Sequence, residues 1–400
     1  MSTKKTVLLG ISGSIAAYKI ANLARMLKKS GYNVYVLMTE NAQNFIHPLT
    51  LETLTQNKCL IDTFDRNFEY SVEHVSIAKK ADVVLLAPAS ANVIGKIANG
   101  IADDMLTTTV MACTCKVIIS PAMNHNMFHN PIVQDNINKL KHFGYEIIPP
   151  DSGMLANGDL GDGRMPDEDI LYNYIYREIA YDKDLAGKKV LVTAGATCEA
   201  IDPVRYITNH SSGKMGYAVA KIAALRGAEV ILVSGKVTLM PPPFISKIIN
   251  VTSAHEMFEA VKANYSDCDL IVKAAAVADY RPVYVSDEKL KKSDKEMSIE
   301  LCRTDDILKW LGQNKKENQV LCGFAMETQN MISNAQKKLL EKNLDMIAAN
   351  NLKVCGAGFQ SDTNVLTLIT KENIIELPIM SKEDVASILL DKLIENKTII

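Results

Sequence analysis

No apolar run in this 400-residue chain approaches the roughly 20 residues that a membrane-spanning helix needs, so a membrane is not an expected partner. Neither sign of charge dominates. The 44 Lys and Arg against 46 Asp and Glu leave a net charge of −2, which gives no case for nucleic acid or an anionic surface. The eight cysteines lack the spacing of a disulfide framework. Cys268, Cys302 and Cys322 lie in apolar stretches, and Cys113-Thr-Cys115 is the only close pair, so buried free thiols are expected. The start, Met-Ser-Thr-Lys-Lys, leads straight into a strand pattern without a signal peptide, and a cytoplasmic location is expected. Two glycine fingerprints are also missing. The glycine of a phosphate loop is absent ahead of Gly213-Lys214, and neither Gly10-Ile-Ser-Gly-Ser14 nor Gly195-Ala-Thr197 completes Gly-x-Gly-x-x-Gly. That counts against a dinucleotide-dependent oxidoreductase, the main rival reading.

What the chain has is alternation. Apolar residues make up 48%, enough for ordinary globular cores, and the length favours two domains. Thr6–Leu9 reads as a strand, Gly10–Ser14 as a turn, and Ile20, Leu23, Ala24 and Leu27 as one helix face ending at Gly31. Strand-then-polar-turn units follow at 34–40, 82–88 and 117–124, and Asn130-Pro131 opens a helix. A helical stretch over 167–181 and a polar connector over 182–189 place a domain boundary, giving domains 1–183 and 184–400. The second half repeats the alternation with strands at 190–192, 230–233, 270–276 and 320–324 and a capping box at Ser253-Ala-His-Glu256. Asn364–Thr370 and Ile374–Leu377 read as a hairpin. The fold expected is α/β, two doubly wound Rossmann-like domains, the second with an antiparallel hairpin.

The most informative segment is Arg205-Tyr-Ile-Thr-Asn-His-Ser-Ser-Gly-Lys-Met-Gly216. It joins an apolar strand to a helix carrying Met215, Ala218, Val219 and Ile222 on one face. Ser-Ser-Gly-Lys at a helix start aims free N–H groups at an anion, and Lys214 in the first turn is disfavoured by the dipole unless an anion sits there. Alone, the string reads better as an ordinary Ser-capped helix with a surface lysine. Its setting in a polar loop at a strand end favours a ligand site. Over 284–297, Lys289, Lys291, Lys292 and Lys295 face Asp287, Glu288, Asp294 and Glu296, a solvated loop or a mobile phosphate-binding lid.

Together these strings resemble, over essentially the whole chain, the bifunctional bacterial coenzyme A enzymes, in which a phosphopantothenate–cysteine ligase is fused to a phosphopantothenoylcysteine decarboxylase. In the first half the matching strings are Gly10-Ile-Ser-Gly-Ser-Ile-Ala-Ala-Tyr-Lys19, Ala87-Pro-Ala-Ser-Ala-Asn92 and Pro121-Ala-Met-Asn-His-Asn-Met127. In the second they are Ile201 to Gly216, Ala275-Ala-Val-Ala-Asp-Tyr280 and Lys289-Leu-Lys-Lys292. A non-catalytic flavoprotein is the rival that shares the first set.

For the first half the resemblance implies FMN and oxidation of the cysteine thiol to a thioaldehyde, which lets CO₂ depart. FMN would be held by Gly10, Ser12, Gly13, Ser14, Thr39, Ala89, Ser90 and Asn92. His74 matches the catalytic histidine, Asn124 would hold the substrate carboxylate, and Met123, Arg164 and Met165 would border the substrate. One residue departs from the pattern. Asn157 stands where the family carries a flap cysteine that protonates the enethiolate, and an amide cannot replace a thiol as that donor. A residue changed to trap an intermediate, another proton donor, or a half that stops at the oxidised product all remain open.

For the second half the resemblance implies that phosphopantothenate attacks CTP and that cysteine then displaces CMP from the acyl-cytidylate, with Mg²⁺ held largely by phosphates and water. Lys289 matches the catalytic lysine, and Asn209 the residue that converts the acyl-cytidylate. Ser211, Ser212 and Gly213 would bind substrate or triphosphate, and Arg205 would pair with substrate phosphate or carboxylate. Lys273, Ala274, Ala275 and Asp279 would meet the nucleotide, as would Asp305, Asp306, Ile307 and Leu308. Phe324, Lys338 and Lys342 complete that set, and no side chain is assigned as a direct metal ligand. Ala196 stands where the family usually has proline, with only a local backbone effect expected. The partners are then small molecules (4′-phosphopantothenate, cysteine and CTP), and the family's assembly is a homo-oligomer, a dodecamer.

Overall fold

The computed structural model describes residues 4–64, 73–154, 158, 160–291, 297–327, 330–351 and 361–396. The chain divides into two compact units, Met1–Tyr181 and Asp182–Ile400.

In the first unit, β1 (Thr6–Ile11), α1 (Lys19–Lys29), β2 (Asn33–Met38), α2 (Pro48–Thr55) and β3 (Cys59–Leu60) lead to α3 (Glu73–Lys80). Then come β4 (Val83–Ala89), α4 (Ala91–Ala98), α5 (Met105–Ala112), β5 (Lys116–Pro121), α6 (His125–Phe128), α7 (Pro131–His142) and β6 (Glu146–Ile147). The unit closes with the hairpin β7 (Asp151–Met154) and β8 (Leu160–Arg164), then α8 (Glu168–Ala180). Six strands pair in the order β3-β2-β1-β4-β5-β6, all parallel. Side-chain alternation explains why both faces are covered. Val7, Leu9 and Ile11 face Ile20, Leu23, Leu27 and Ile175 in one core. Leu8, Val84 and Leu86 face Ile94, Leu106 and Leu140 in the other. Each such apolar side chain contributes about 1.5–3 kcal/mol when fully buried. Asn130 caps α7 as the sequence indicates, accepting from Ile132 N at 3.0 Å with Pro131 at the first helical position.

The second unit begins with β9 (Lys189–Ala194) and a small antiparallel pair, β10 (Cys198–Ala200) and β11 (Tyr206–Thr208). There follow α9 (Lys214–Leu225), β12 (Glu229–Ser234), β13 (Lys247–Asn250), α10 (Ala254–Asn264) and β14 (Leu270–Lys273). A second small pair, β15 (Tyr280–Pro282) and β16 (Leu301–Arg303), precedes α11 (Ile307–Asn314), β17 (Val320–Glu327), α12 (Met331–Glu341) and β18 (Met346–Asn351). The chain ends with β19 (Thr363–Asn364), β20 (Leu366–Ile369), β21 (Ile374–Glu376), β22 (Met380–Ser381) and α13 (Lys382–Asn396). The main sheet runs β13-β12-β9-β14-β17-β18-β20-β21. It is parallel through β18, and the expected hairpin β20–β21 adds antiparallel to its edge. Arg226, almost wholly buried, anchors the unit's start and end by pairing with Asp184 and, at 2.7 Å, with Asp391.

Several details differ from the sequence reading. The capping box at 253–256 is half formed: Ser253 accepts from Glu256 N at 3.1 Å, but the Glu256 carboxylate takes Thr252 N at 2.8 Å instead of Ser253 N. The strand expected over 270–276 stops at Lys273, because the chain there turns to bond with Thr193 and Thr197. All seven cysteines among the described residues are free, but Cys113, Cys115 and Cys302 are only half-buried. No helix among the described residues is long and apolar enough to cross a membrane.

Candidate functional site

The residues singled out in the first unit collect at the carboxyl ends of neighbouring strands. Ser12, Gly13 and Ser14 follow β1, Thr39 follows β2, Ala89 and Ser90 end β4, and Met123 and Asn124 follow β5. This is the switch-point edge where doubly wound sheets bind ligands. Gly10 lies inside β1, where a Cβ would run into the Leu86 side chain, so its place is in packing. The Ser12 hydroxyl is already committed. It donates to Pro88 O at 2.7 Å and accepts from Ser90 N at 2.8 Å, stitching β1 to β4. Ser14 and Ser90 each start a helical turn without spending their hydroxyls on a cap bond. The Thr39 hydroxyl is buried and has no protein partner. Hydroxyls left open at three adjacent strand ends fit a polar ligand that supplies the missing partners. Asn92 is exposed in the first turn of α4.

Asn124 caps α6, its side-chain oxygen accepting from Asn126 N at 2.9 Å. That orientation leaves the amide NH₂, the half able to donate to a carboxylate. Met123 N donates to Gly163 O at 3.0 Å, which brings β8 onto the same turn. Lys19 bonds Asp167 at 2.7 Å and Met165 O at 3.4 Å, and Arg164 pairs with Asp167 at 3.3 Å, so Arg164 and Met165 are held near α1. His74 is half-buried near the start of α3. Asn157 lies outside the described residues.

In the second unit the switch-point edge carries two adjoining cavities, of about 410 and 420 Å³. Their floor is a zipper between the chain after β9 and the chain after β14. Ala275 N donates to Thr193 Oγ1 at 3.2 Å, Ala276 N to Gly195 O at 2.9 Å, and Ala278 N to Thr197 Oγ1 at 3.0 Å. Lys273, Val277, Asp279, Phe324 and Lys338 border both cavities. Asn209 and Ser211 to Gly213 line the first, with Ala274 and Ala275. Asp305 to Leu308 and Lys342 line the second. Gly213 caps α9 at φ 78°, a left-handed conformation, and a Cβ there would come within 2.6 Å of Val237, so the helix start needs glycine.

Charge decides what the first cavity accepts. Among the described residues, Lys214, Lys273, Lys338 and Lys382 line it with Asp279 as the one acid, a lining for a polyanion. Burial, reinforced by Lys342, lowers the Lys273 pKa to about 8. Burial and then Lys214 also lower that of Lys382. Lys214 pairs with Asp362 at 2.6 Å, so an aspartate now sits beside the lysine that the sequence set at the helix start. In the second cavity Lys342 bonds Asp306 at 2.9 Å. Burial acts to raise the Asp306 pKa, but the Lys309 N–H and Lys342 hold it below the usual carboxylate range.

Two expected residues stand apart from the cavities. Lys289 is exposed on the 283–291 segment, whose root hangs from the preceding turn: Ser286 N donates to Ile201 O at 3.0 Å and Leu290 N to Asp202 Oδ2 at 3.2 Å. Lys292 and Lys295 lie outside the described residues. Arg205 is paired with the buried Asp202 at 3.4 Å. Asn209 makes its bonds as a donor, to Ala276 O at 3.2 Å and Val277 O at 3.3 Å, which ties the 209 loop to the zipper. Lys382 and Asn364, both on the first cavity's wall, escaped sequence reading. Each comes from the chain after β18 and sits in an unremarkable local string. Ala196 is buried and bridges to Lys236 and Ala276.

Comparison with known proteins matches each unit to a family. Residues 1–180 match the family described as flavoprotein, and residues 185–396 match the DNA/pantothenate metabolism flavoprotein C-terminal domain. The fold class is thus a two-domain flavoprotein of pantothenate metabolism. The coenzyme A biosynthesis bifunctional protein CoaBC of Bacillus subtilis is 48% identical, over 98% of this chain and 97% of the relative. The protein of the same name from Borreliella burgdorferi is 42% identical over 98% and 99%. A cysteine/cysteine sulfinic acid decarboxylase from an unknown prokaryote is 46% identical over 87% and 99%. A crystal structure of the C-terminal domain of a CoaBC protein is 48% identical, covering 52% of this chain and 95% of that one with a TM-score of 0.45. The chain belongs to the family of bifunctional coenzyme A biosynthesis proteins, and it is an enzyme with phosphopantothenoylcysteine decarboxylase and phosphopantothenate–cysteine ligase activities.

Proposed function

We propose that the second unit couples 4′-phosphopantothenate to cysteine at the expense of CTP, and that the first decarboxylates the product with FMN. The observation that carries the ligase half is the cavity lined by four lysines and one aspartate at the start of α9. A triphosphate brings the negative charge this lining lacks. Lys273 and Lys338 border both cavities, so they stand where phosphates would pass between a nucleotide by Asp305–Leu308 and a substrate by Ser211–Gly213. N–H groups at the α9 start, with Ser211 and Ser212, bind the substrate phosphate. Asn209 fixes the loop over the acyl-cytidylate, and Lys289 swings in from its exposed segment to neutralise charge in the first step. Arg205 steadies the hinge of that segment through Asp202. Mg²⁺ is bound by phosphate oxygens and water.

In the first unit, bound FMN supplies the reversible two-electron oxidation that makes loss of the carboxylate feasible. The hydroxyls of Ser14, Thr39 and Ser90 hold its polar groups, Ala89 and Asn92 border it, and Gly13 permits close approach. Asn124 donates to the substrate carboxylate. His74 takes the thiol proton. Met123, Arg164 and Met165 cover the substrate. The reaction partners are small molecules, and the assembly is a cytoplasmic homo-oligomer, a dodecamer by family resemblance.

The test is mass analysis of products from phosphopantothenate, cysteine, CTP and Mg²⁺. Phosphopantothenoylcysteine with equimolar CMP and pyrophosphate is expected, followed by CO₂. Release of CO₂ from free cysteine or cysteine sulfinate, with no CTP consumed, would overturn the reading.

A further inference from the structure

Asn124 caps α6, and two histidines follow it one helical turn apart. His129 N donates to His125 O at 3.0 Å, and the two ring centroids are 4.4 Å apart. Strand β8 lies directly on this turn. A Cβ at Gly161 would come within 2.7 Å of His125 Nδ1, so only glycine lets the strand sit flush against the imidazole. The next residue, Asp162, donates its backbone N–H to His125 Nδ1 at 3.1 Å, and its carboxylate lies 3.1 Å from His129 Nε2. One ligand atom from each of the three residues falls within 4.8 Å of the others. Among the described residues this is the one such group of histidine, cysteine and acidic side chains.

We propose that His125, His129 and Asp162 bind a divalent transition-metal ion of the zinc class, which bridges α6 to β8 and pins the β7–β8 hairpin against the Met123–Asn124 turn. Two imidazoles and a carboxylate select zinc, cobalt, nickel or copper over magnesium and calcium. Bonds of about 2.0–2.2 Å to a tetrahedral ion place neighbouring N and O ligands roughly 3.3 Å apart, close to the 3.1 Å already separating His129 Nε2 from Asp162 Oδ2. The Ser152 hydroxyl donates to the other carboxylate oxygen and orients it, as outer partners of metal ligands do. Exposure of 48% for the His129 side chain and 39% for that of Asp162 leaves an entry path and a fourth position for water. Binding exchanges one contact. An imidazole that coordinates through either nitrogen no longer accepts at Nδ1, so the Asp162 N–H bond gives way to the metal.

The consequence lies beside the proposed substrate site. Arg164 and Met165 follow Asp162, and Met123 N already holds Gly163 O at 3.0 Å. A metal link would fix the hairpin in that position.

The experiment is a titration of the full-length, flavin-containing protein with Zn²⁺ in excess Mg²⁺, followed by calorimetry and by hydrogen exchange of residues 151–164. One ion per chain is expected, with slower exchange of the hairpin in the parent. His129→Ala and Asp162→Asn should each weaken binding at least tenfold while the flavin absorbance stays that of the parent. Substitution by Co²⁺ should give a spectrum without thiolate bands, which separates this site from the Cys113 and Cys115 thiols. An unaltered isotherm in the His125→Ala/His129→Ala double variant would overturn the proposal. So would thiolate bands in the Co²⁺ spectrum, or hairpin exchange that Zn²⁺ leaves unchanged.

Discussion

The two units build one sheet in two ways. Both run their first six parallel strands in the same relative order, with the first and fourth strands side by side at the switch point. Both then stitch those strands with buried hydroxyls: Ser12 joins β1 to β4, and Thr193 and Thr197 join β9 to β14. They differ in what is inserted there. In the first unit residues 12–14 lead straight into a helical turn, whereas in the second residues 195–213 make an excursion with its own β10–β11 pair before α9 begins. The short crossing keeps Ser12, Gly13 and Ser14 at the strand ends. The long one brings Asn209 and Ser211–Gly213 to the wall of the first cavity, whereas the second is lined by later segments. The scaffold is shared, and the two edges differ in the segments that leave it.

The largest effect should come from the segment farthest from any core. Lys289 is exposed, so Lys289→Gln costs no packing. Loss of a cation from the first ligase step should slow CTP-dependent pyrophosphate release by about 10²–10³-fold. Decarboxylation of supplied phosphopantothenoylcysteine should not change. Equal loss in both activities would mean the units are not independent, and unchanged pyrophosphate release would remove Lys289 from the chemistry.

Next comes the missing thiol of the first unit. Parental protein given phosphopantothenoylcysteine under anaerobic conditions should release CO₂ and leave an enethiol two hydrogens short of phosphopantetheine. Asn157→Cys should raise phosphopantetheine formation by about 10²-fold or more, the scale of a positioned proton donor. Equal phosphopantetheine turnover in parent and variant would show that another group donates.

Asn209→Asp replaces an amide that donates to Ala276 O and Val277 O with a carboxylate facing two carbonyl oxygens. The loop should lift from the zipper. Acyl-cytidylate should then accumulate while amide formation falls by about 10²-fold. Amide made at the parental rate would reduce Asn209 to a loop fastener.

The stitches themselves give a smaller, purely structural contrast. Ser12→Ala removes two hydrogen bonds, leaving Ser90 N unpaired while Pro88 O keeps the Ser12 N–H at 3.1 Å, and Thr197→Val removes one, leaving Ala278 N unpaired. With about 0.5–1.5 kcal/mol for each hydrogen bond lost, denaturant unfolding should find the first unit the more weakened. A larger loss from Thr197→Val would break the parallel between the two edges.

Much of this was legible in the residues. Strands such as Thr6–Ile11 and Lys189–Ala194 are continuous apolar runs because both sheet faces are covered, and that signal is local. Asn209 to Gly213 stood out as a polar string at a strand end, whereas Lys273 to Asp279, mostly alanine, were marked only by the family resemblance. The commitment of the Ser12 hydroxyl was not, since its partners stand more than seventy residues away. Nor was Lys382: nothing in Ser381-Lys-Glu-Asp384 marks it, and only the return of the chain after β18 brings it to Lys214.

The smallest effect is also the most diagnostic of the second edge. Lys273 has its pKa lowered to about 8, burial being the main cause and Lys342 the second. Below that pH the ammonium is present and attracts triphosphate; above it the amine is neutral and the attraction is lost. The direction is fixed: KM for CTP should rise as pH climbs through about 8, roughly three- to tenfold for one partly screened charge. Lys273→Met should hold KM at the high value and flatten the profile, while kcat changes less. The proposed decarboxylase site has no such lysine among the described residues at its strand ends, so its KM for phosphopantothenoylcysteine should not follow the same curve. A ligase profile that is flat in the parent, or one that keeps its slope in the methionine variant, would show that the triphosphate is bound elsewhere on this edge.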